Sequence, residues 1–138
     1  MADERLRAVI ICPSNPFISV EPILAVQGMR QALLACAAPV IAVSPIIGGR
    51  AVKGPTAKMM AELGMTPSAA AVAKRYGDLL DGYVMDAGDA EEAAQVTPKV
   101  TLAVTLMTNL AEREQLARVV LEAADALVAS KRRRDLVA

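Results

Sequence analysis

Two loops hold the residues best suited to chemistry in this sequence. The first is Pro13-Ser14-Asn15-Pro16, followed by Phe17, Ile18 and Ser19. Its prolines stiffen the backbone, and Ser14 and Asn15 offer a hydroxyl and an amide that donate and accept. That set can read a nucleotide base or a ribose. The same residues suit a strand-ending turn in which both side chains bond the local backbone, and spacing alone favours the turn. The second loop runs from Ser44 to Pro55. Gly48 and Gly49 let backbone approach a ligand closely. Arg50 and Lys53 are cations, and Gly54-Pro55 leads into a predicted helix start. Amides, a helix dipole and cations together favour a phosphate or diphosphate. The spacing of a Walker A loop is absent. The competing reading is a surface loop with solvated charges.

The carboxylates Asp78, Asp81, Asp86 and Asp89 cluster in sequence. Asp86 closes a predicted strand and could hold a metal ion through water, but such a residue more often caps the next helix. Cys12 has no His to activate it and reads as a small core residue. The methionines read as core filler.

The elements that position these loops alternate in type. Ala8 to Cys12 is short, β-branched and apolar on both faces, as a strand inside a parallel sheet should be. A helix is predicted from Glu21, with Ile23, Val26, Met29, Leu33 and Cys36 at helical spacing, until Pro39 ends it. Val40 to Val43 is a second buried strand. Helices are predicted over Thr56 to Leu63 and Ser68 to Tyr76, a strand over Gly82 to Asp86, a short helix over Ala87 to Val96, and a strand over Lys99 to Thr105. A last helix runs from about Leu110 to Ser130, with Leu116, Val119, Val120, Ala123, Ala124 and Leu127 as its apolar stripe. Lys131 to Arg134 reads as a solvated helix end. The pattern predicts one α/β domain over residues 1–138, a Rossmann-like three-layer partial fold. It should have a mostly parallel sheet of about four strands and helices on both faces.

Composition excludes several functions. The chain has 138 residues and no His, which removes Ser-His-Asp and Cys-His nucleophile systems and any His-ligated metal. Two Cys cannot build a four-thiolate zinc site or a disulfide framework. A formal net charge of zero and an aromatic fraction of 2% argue against a nucleic-acid partner. The longest apolar stretch, Ala32 to Val43, is broken by Pro39 and too short to span a bilayer. The charged start has no hydrophobic signal core behind it. Free Cys12 and Cys36 suit a reducing compartment, so a soluble cytoplasmic protein is expected.

Several ordered words resemble one family. They are Ile10-Ile11-Cys12-Pro13-Ser14-Asn15-Pro16, Pro39-Val40-Ile41-Ala42-Val43-Ser44-Pro45-Ile46-Ile47-Gly48-Gly49, Val52-Lys53-Gly54-Pro55, Tyr76-Gly77-Asp78-Leu79-Leu80-Asp81-Gly82 and Thr105-Leu106-Met107. Together they are similar to the 2-phospho-L-lactate transferases of coenzyme F-420 biosynthesis, from about Ala8 to Val128. The resemblance implies transfer of a 2-phospholactyl or phosphoenolpyruvyl group from a guanosine diphosphate ester to the deazaflavin Fo, with GMP released and magnesium assisting. The two loops fit such a donor: by position and chemistry, Ser14 and Asn15 are expected to serve the guanosine side, and Gly48, Gly49, Arg50, Lys53 and Gly54 the donor phosphates. Family members are roughly twice this length, and their deazaflavin- and metal-binding acidic residues lie in a first half that has no counterpart here. The resemblance therefore implies a C-terminal half whose magnesium ligands lie elsewhere. A homodimer or a partner chain supplying the other half is expected, and the chain by itself is expected to be inactive. Ala103-Val104-Thr105 stands where the family usually has Thr-Asp-Thr, so Val104 replaces an Asp able to contact a metal or hydroxyl. The competing readings are a non-catalytic nucleotide-sugar-binding factor of the related gluconeogenesis and cell-shape family, and an inactive assembly half-domain.

Overall fold

Val40-Ile41-Ala42-Val43 is buried at every position, which requires cover on both faces. The structure, a computed structural model, describes residues 5–135. The charged residues 1–4 lie outside the described residues, and the basic run Lys131 to Arg134 lies outside those whose side chains are described. The sheet has four strands, β1 (Val9–Ile11), β2 (Val40–Val43), β5 (Gly82–Asp86) and β6 (Lys99–Ala103), in the order β1-β2-β5-β6. All its pairings are parallel, with Ile10 opposite Ile41, Val43 opposite Val84, and Val84 opposite Thr101. Strand order follows chain order, so each crossover carries its helices onto a face, as in one half of a doubly wound fold.

Pleating sorts the residues between two cores. On one face Val40, Ala42, Tyr83 and Met85 pack with Leu33, Met60, Val72 and Tyr76. These come from α2 (Met29–Leu34), α3 (Thr56–Glu62) and α4 (Ala69–Tyr76). On the other face Ile41, Val43 and Val84 pack with Leu116, Val120, Ala124 and Leu127 of α5 (Leu110–Asp135). Each Val, Leu, Ile or Met side chain among these contributes about 1.5–3 kcal/mol on removal from water, and each Ala less. Gly82 lets α5 approach the sheet: a Cβ there would meet Leu127 Cδ1 at 3.0 Å and Ile41 Cγ1 at 3.3 Å. The Ser68 side chain caps α4 by accepting from Ala71 N at 3.0 Å. On the same face the buried Tyr83 hydroxyl donates to Ala69 O at 2.9 Å.

Two elements differ from the sequence reading. The helix expected from Glu21 to Pro39 is broken. A π-turn over Pro16–Val20 runs into α1 (Glu21–Leu24), the chain opens, and α2 restarts behind Gly28, whose φ is 80°. The helical spacing of Ile23, Val26 and Met29 was real, but the left-handed Gly28 ends hydrogen-bonded continuity there. Ile23 and Val26 are accordingly exposed. The second difference is a hairpin, β3 (Ile46–Ile47) with β4 (Arg50–Ala51), where a loop was expected. Its two-residue turn is Gly48-Gly49, with φ of 56° and 71°. Positive φ at both positions is what a type I′ hairpin turn demands.

Candidate phosphate-binding cleft

The loops after β1, β2 and β6 converge on a cleft of about 190 Å³ beyond the carboxyl ends of the strands. Parallel sheets place their ligands there. Asn15 arrives from the loop after β1, Ser44 from β2, Lys53 from the approach to α3, Thr105 from the end of β6, and Arg113 from the first turns of α5. Lys53 and Arg113 are exposed, and among the described residues neither is ion-paired. Among the described residues no carboxylate lines the cleft. Two cations that no described carboxylate pairs with make this cleft a candidate anion site.

The polar groups in the walls are oriented by their partners. Asn15 Oδ1 accepts from Phe17 N at 2.9 Å and Ile18 N at 3.3 Å, so the carbonyl is committed to capping the π-turn. Asn15 Nδ2 makes only a weak 3.5 Å contact with Met59 Sδ and keeps donor capacity. The Ser44 hydroxyl donates to Ile46 O at 3.0 Å and accepts from Ile46 N at 3.1 Å, so it closes a turn. The Thr105 hydroxyl donates to Asp86 Oδ2 at 3.0 Å. Its proton is thereby turned away, and its lone pairs are left to accept from a ligand. Asp86 also accepts from Thr105 N at 2.9 Å and Gly88 N at 2.9 Å. Burial pushes the Asp86 carboxyl up, but the hydrogen bonds from Thr105 and Gly88 outweigh it and hold the group below the usual carboxylate range.

The sequence-derived residues divide. Asn15 and Lys53 meet in the cleft. Ser14 faces a separate, mostly apolar groove beside β1, with Cys12 and Ser19. The Gly48 amide is taken by Asp89, whose Oδ1 and Oδ2 lie at 2.9 and 3.2 Å. Gly48 and Gly49 form the hairpin turn, Arg50 lies in β4, and none of them lines the cleft, nor does Gly54. Asp86 caps the following 3-10 segment (Ala87–Gln95), as the capping reading held. Thr105 and Arg113 were missed. Arg113 read as a solvated helix residue because it lies off the α5 stripe, yet the loop after β6 necessarily ends at the carboxyl edge, and that position was the available signal.

Magnesium does not fit the described residues. The carboxylates of Asp86 and Asp89 are engaged with backbone amides. No group of three or more His, Cys, Asp or Glu among the described residues is arranged to hold a metal ion. No described helix is long and apolar enough to cross a membrane.

Comparison with known proteins adds a relationship. The family model described as 2-phospho-L-lactate transferase CofD matches residues 4–125. The chain is 41% identical over 123 residues to the phosphoenolpyruvate transferase of Kitasatospora aureofaciens, a match covering 85% of this chain and 38% of that protein. It is 40% identical over 125 residues to the 2-phospho-L-lactate transferase of Methanosarcina mazei, covering 88% of this chain and 41% of that protein. The corresponding protein of Methanocaldococcus jannaschii is 37% identical over 114 residues, 83% of this chain and 36% of its own length. The chain thus spans about two fifths of the length of these curated relatives.

Proposed function

The chain belongs to the 2-phospho-L-lactate transferase family, and from that premise we propose that its cleft binds the donor diphosphate in the transfer that makes the coenzyme F-420 skeleton. The donor is a guanosine diphosphate ester of 2-phospholactate or phosphoenolpyruvate, and the acceptor is the primary hydroxyl of the deazaflavin Fo. The acceptor oxygen forms a bond to the distal phosphorus. The bond from that phosphorus to the bridging oxygen breaks, GMP departs with the electron pair, and the hydroxyl proton passes to solvent or to a base. Charge accumulates on the bridging and terminal oxygens, so fixed cations lower the barrier. Lys53 and Arg113 supply that charge, and Asn15 Nδ2 donates one further hydrogen bond.

The observation carrying this reading is that Lys53 and Arg113 line one cleft that no carboxylate among the described residues lines. The space of about 190 Å³ suits a diphosphate and not a whole nucleotide, so guanosine and acceptor extend beyond it. We place the acceptor and any magnesium on a further polypeptide segment, from a companion chain or a second copy, and the described chain alone is then inactive. Melting scans with GDP, GMP and a UDP-sugar test the reading. Ligand at a hundred times its dissociation constant stabilises the folded state by about 2.7 kcal/mol, a rise of several degrees. GDP should give the largest rise. A rise with the UDP-sugar alone, or with none of the three, contradicts it.

A further inference from the structure

We infer that Asp86 and Asp89 are positioning residues that set the two walls of the cleft against each other. The inference rests on the phosphate reading of the cleft. Asp86 ends β5 and Asp89 follows it, at the centre of the sheet edge that the cleft overlies, and neither carboxylate lines it. Each reaches a different wall. Asp86 receives Thr105 N and Thr105 Oγ1, which fixes the end of β6 and the loop leading to Arg113. Asp89, buried, receives Gly48 N with both oxygens. That bond pins the turn of the hairpin whose neighbours Ile47, Val52 and Lys53 form the opposite wall.

The arrangement answers a mechanical need. A two-residue strand pair is marginal by itself, and Lys53 stands on the exposed chain just beyond it. A carboxylate accepting from a turn amide in a buried setting is a strong, directional anchor. Glu92, on the same 3-10 segment, makes a comparable bond to Ala70 N at 2.8 Å, but it holds the start of α4 away from the cleft. The segment therefore offers two anchors that matter to the site and one internal control.

The test uses inorganic pyrophosphate as probe, titrated by calorimetry with and without magnesium, together with amide hydrogen exchange. Asp89→Ala should speed exchange at the Gly48 amide, and Asp86→Ala at the Thr105 amide. Each should weaken pyrophosphate by about tenfold, because a wall that wanders loses preorganisation. Asp89→Asn and Asp86→Asn keep an acceptor oxygen and should recover to within about threefold of native, with magnesium making no difference to the pattern. Glu92→Ala should lower the melting temperature without changing pyrophosphate affinity. Asp89→Ser, too short to reach Gly48, replaces the alanine variant if that one fails to fold. Native affinity in the alanine or serine variants overturns the inference. So does an asparagine variant as weak as alanine only when magnesium is present, which would make the carboxylates metal ligands. A native chain that binds no pyrophosphate overturns the cleft reading, and the inference falls with it.

Discussion

Replacing Lys53 by alanine removes one of two cations from a cleft that has no carboxylate to rebalance it. A charge-assisted hydrogen bond contributes about 1.5–3 kcal/mol, and 1.4 kcal/mol is a factor of ten. Lys53 is exposed, so water screens it and the lower end of that range applies. The expected loss is about tenfold in GDP affinity. Arg113→Ala should lose a similar amount, and the double variant about a hundredfold if the contacts are independent. Arg50→Ala should change affinity by less than about twofold, because Arg50 lies in β4 and off the cleft. Free-protein stability should move by no more than about 0.5 kcal/mol in each single variant, since neither Lys53 nor Arg113 is ion-paired among the described residues. Calorimetric titration of GDP, with urea unfolding as the stability control, reads all of these. Equal losses for Arg50→Ala and Lys53→Ala would refute the reasoning, because the loop would then act only through general charge.

Three further outcomes test the scaffold. Ile41, fully buried under α5, should cost about 2–5 kcal/mol when changed to alanine, and an unchanged urea midpoint would contradict the core assignment. Tyr83→Phe should cost about 1 kcal/mol by deleting the hydroxyl that donates to Ala69 O, and a neutral effect in urea unfolding would show that this bond adds nothing net. Asp86 has a lowered folded pKa, so its stabilisation is complete above the unfolded value of about 3.9 and is lost as pH falls through the lower folded value. Asp86→Asn should therefore flatten the stability curve between about pH 5 and pH 2, and an identical acid limb in both proteins would refute that assignment.

The four sheet strands were legible as short apolar runs between turn residues; full burial on both faces holds for the inner strand β2, while the edge strands β1 and β6 keep Ile10 and Leu102 exposed. α4 and α5 were legible from the Ser68 cap and the Leu116 to Leu127 stripe. The break at Gly28 was not, because apolar spacing continues through it and a single glycine is tolerated in a helix. The Gly48-Gly49 hairpin had a readable signal, a two-glycine turn between Ile47 and Arg50, but the cations beside it drew a ligand interpretation instead. Asn15 and Lys53 both line the cleft because their loops run to the carboxyl edge of the sheet. Ser14 lies off the cleft because its N–H donates to Cys12 O at 2.6 Å in a tight turn, which leaves it beside the groove along β1. Arg113 and the anchoring of Gly48 by Asp89 depend on contacts 41 residues apart or on loop paths that no local pattern encodes.

The central claim is that a guanine nucleotide diphosphate sits between Lys53 and Arg113 at the carboxyl ends of the strands. The most direct measurement is titration of the isotope-labelled chain with GDP, followed residue by residue through amide and side-chain NMR shifts. Saturable shifts at Asn15, Lys53, Thr105 and Arg113, with Ser14 and Arg50 little changed and a UDP-sugar without effect, are the predicted result. Shifts centred on Arg50 or on the groove beside β1, or no saturable shifts with GDP, would contradict it.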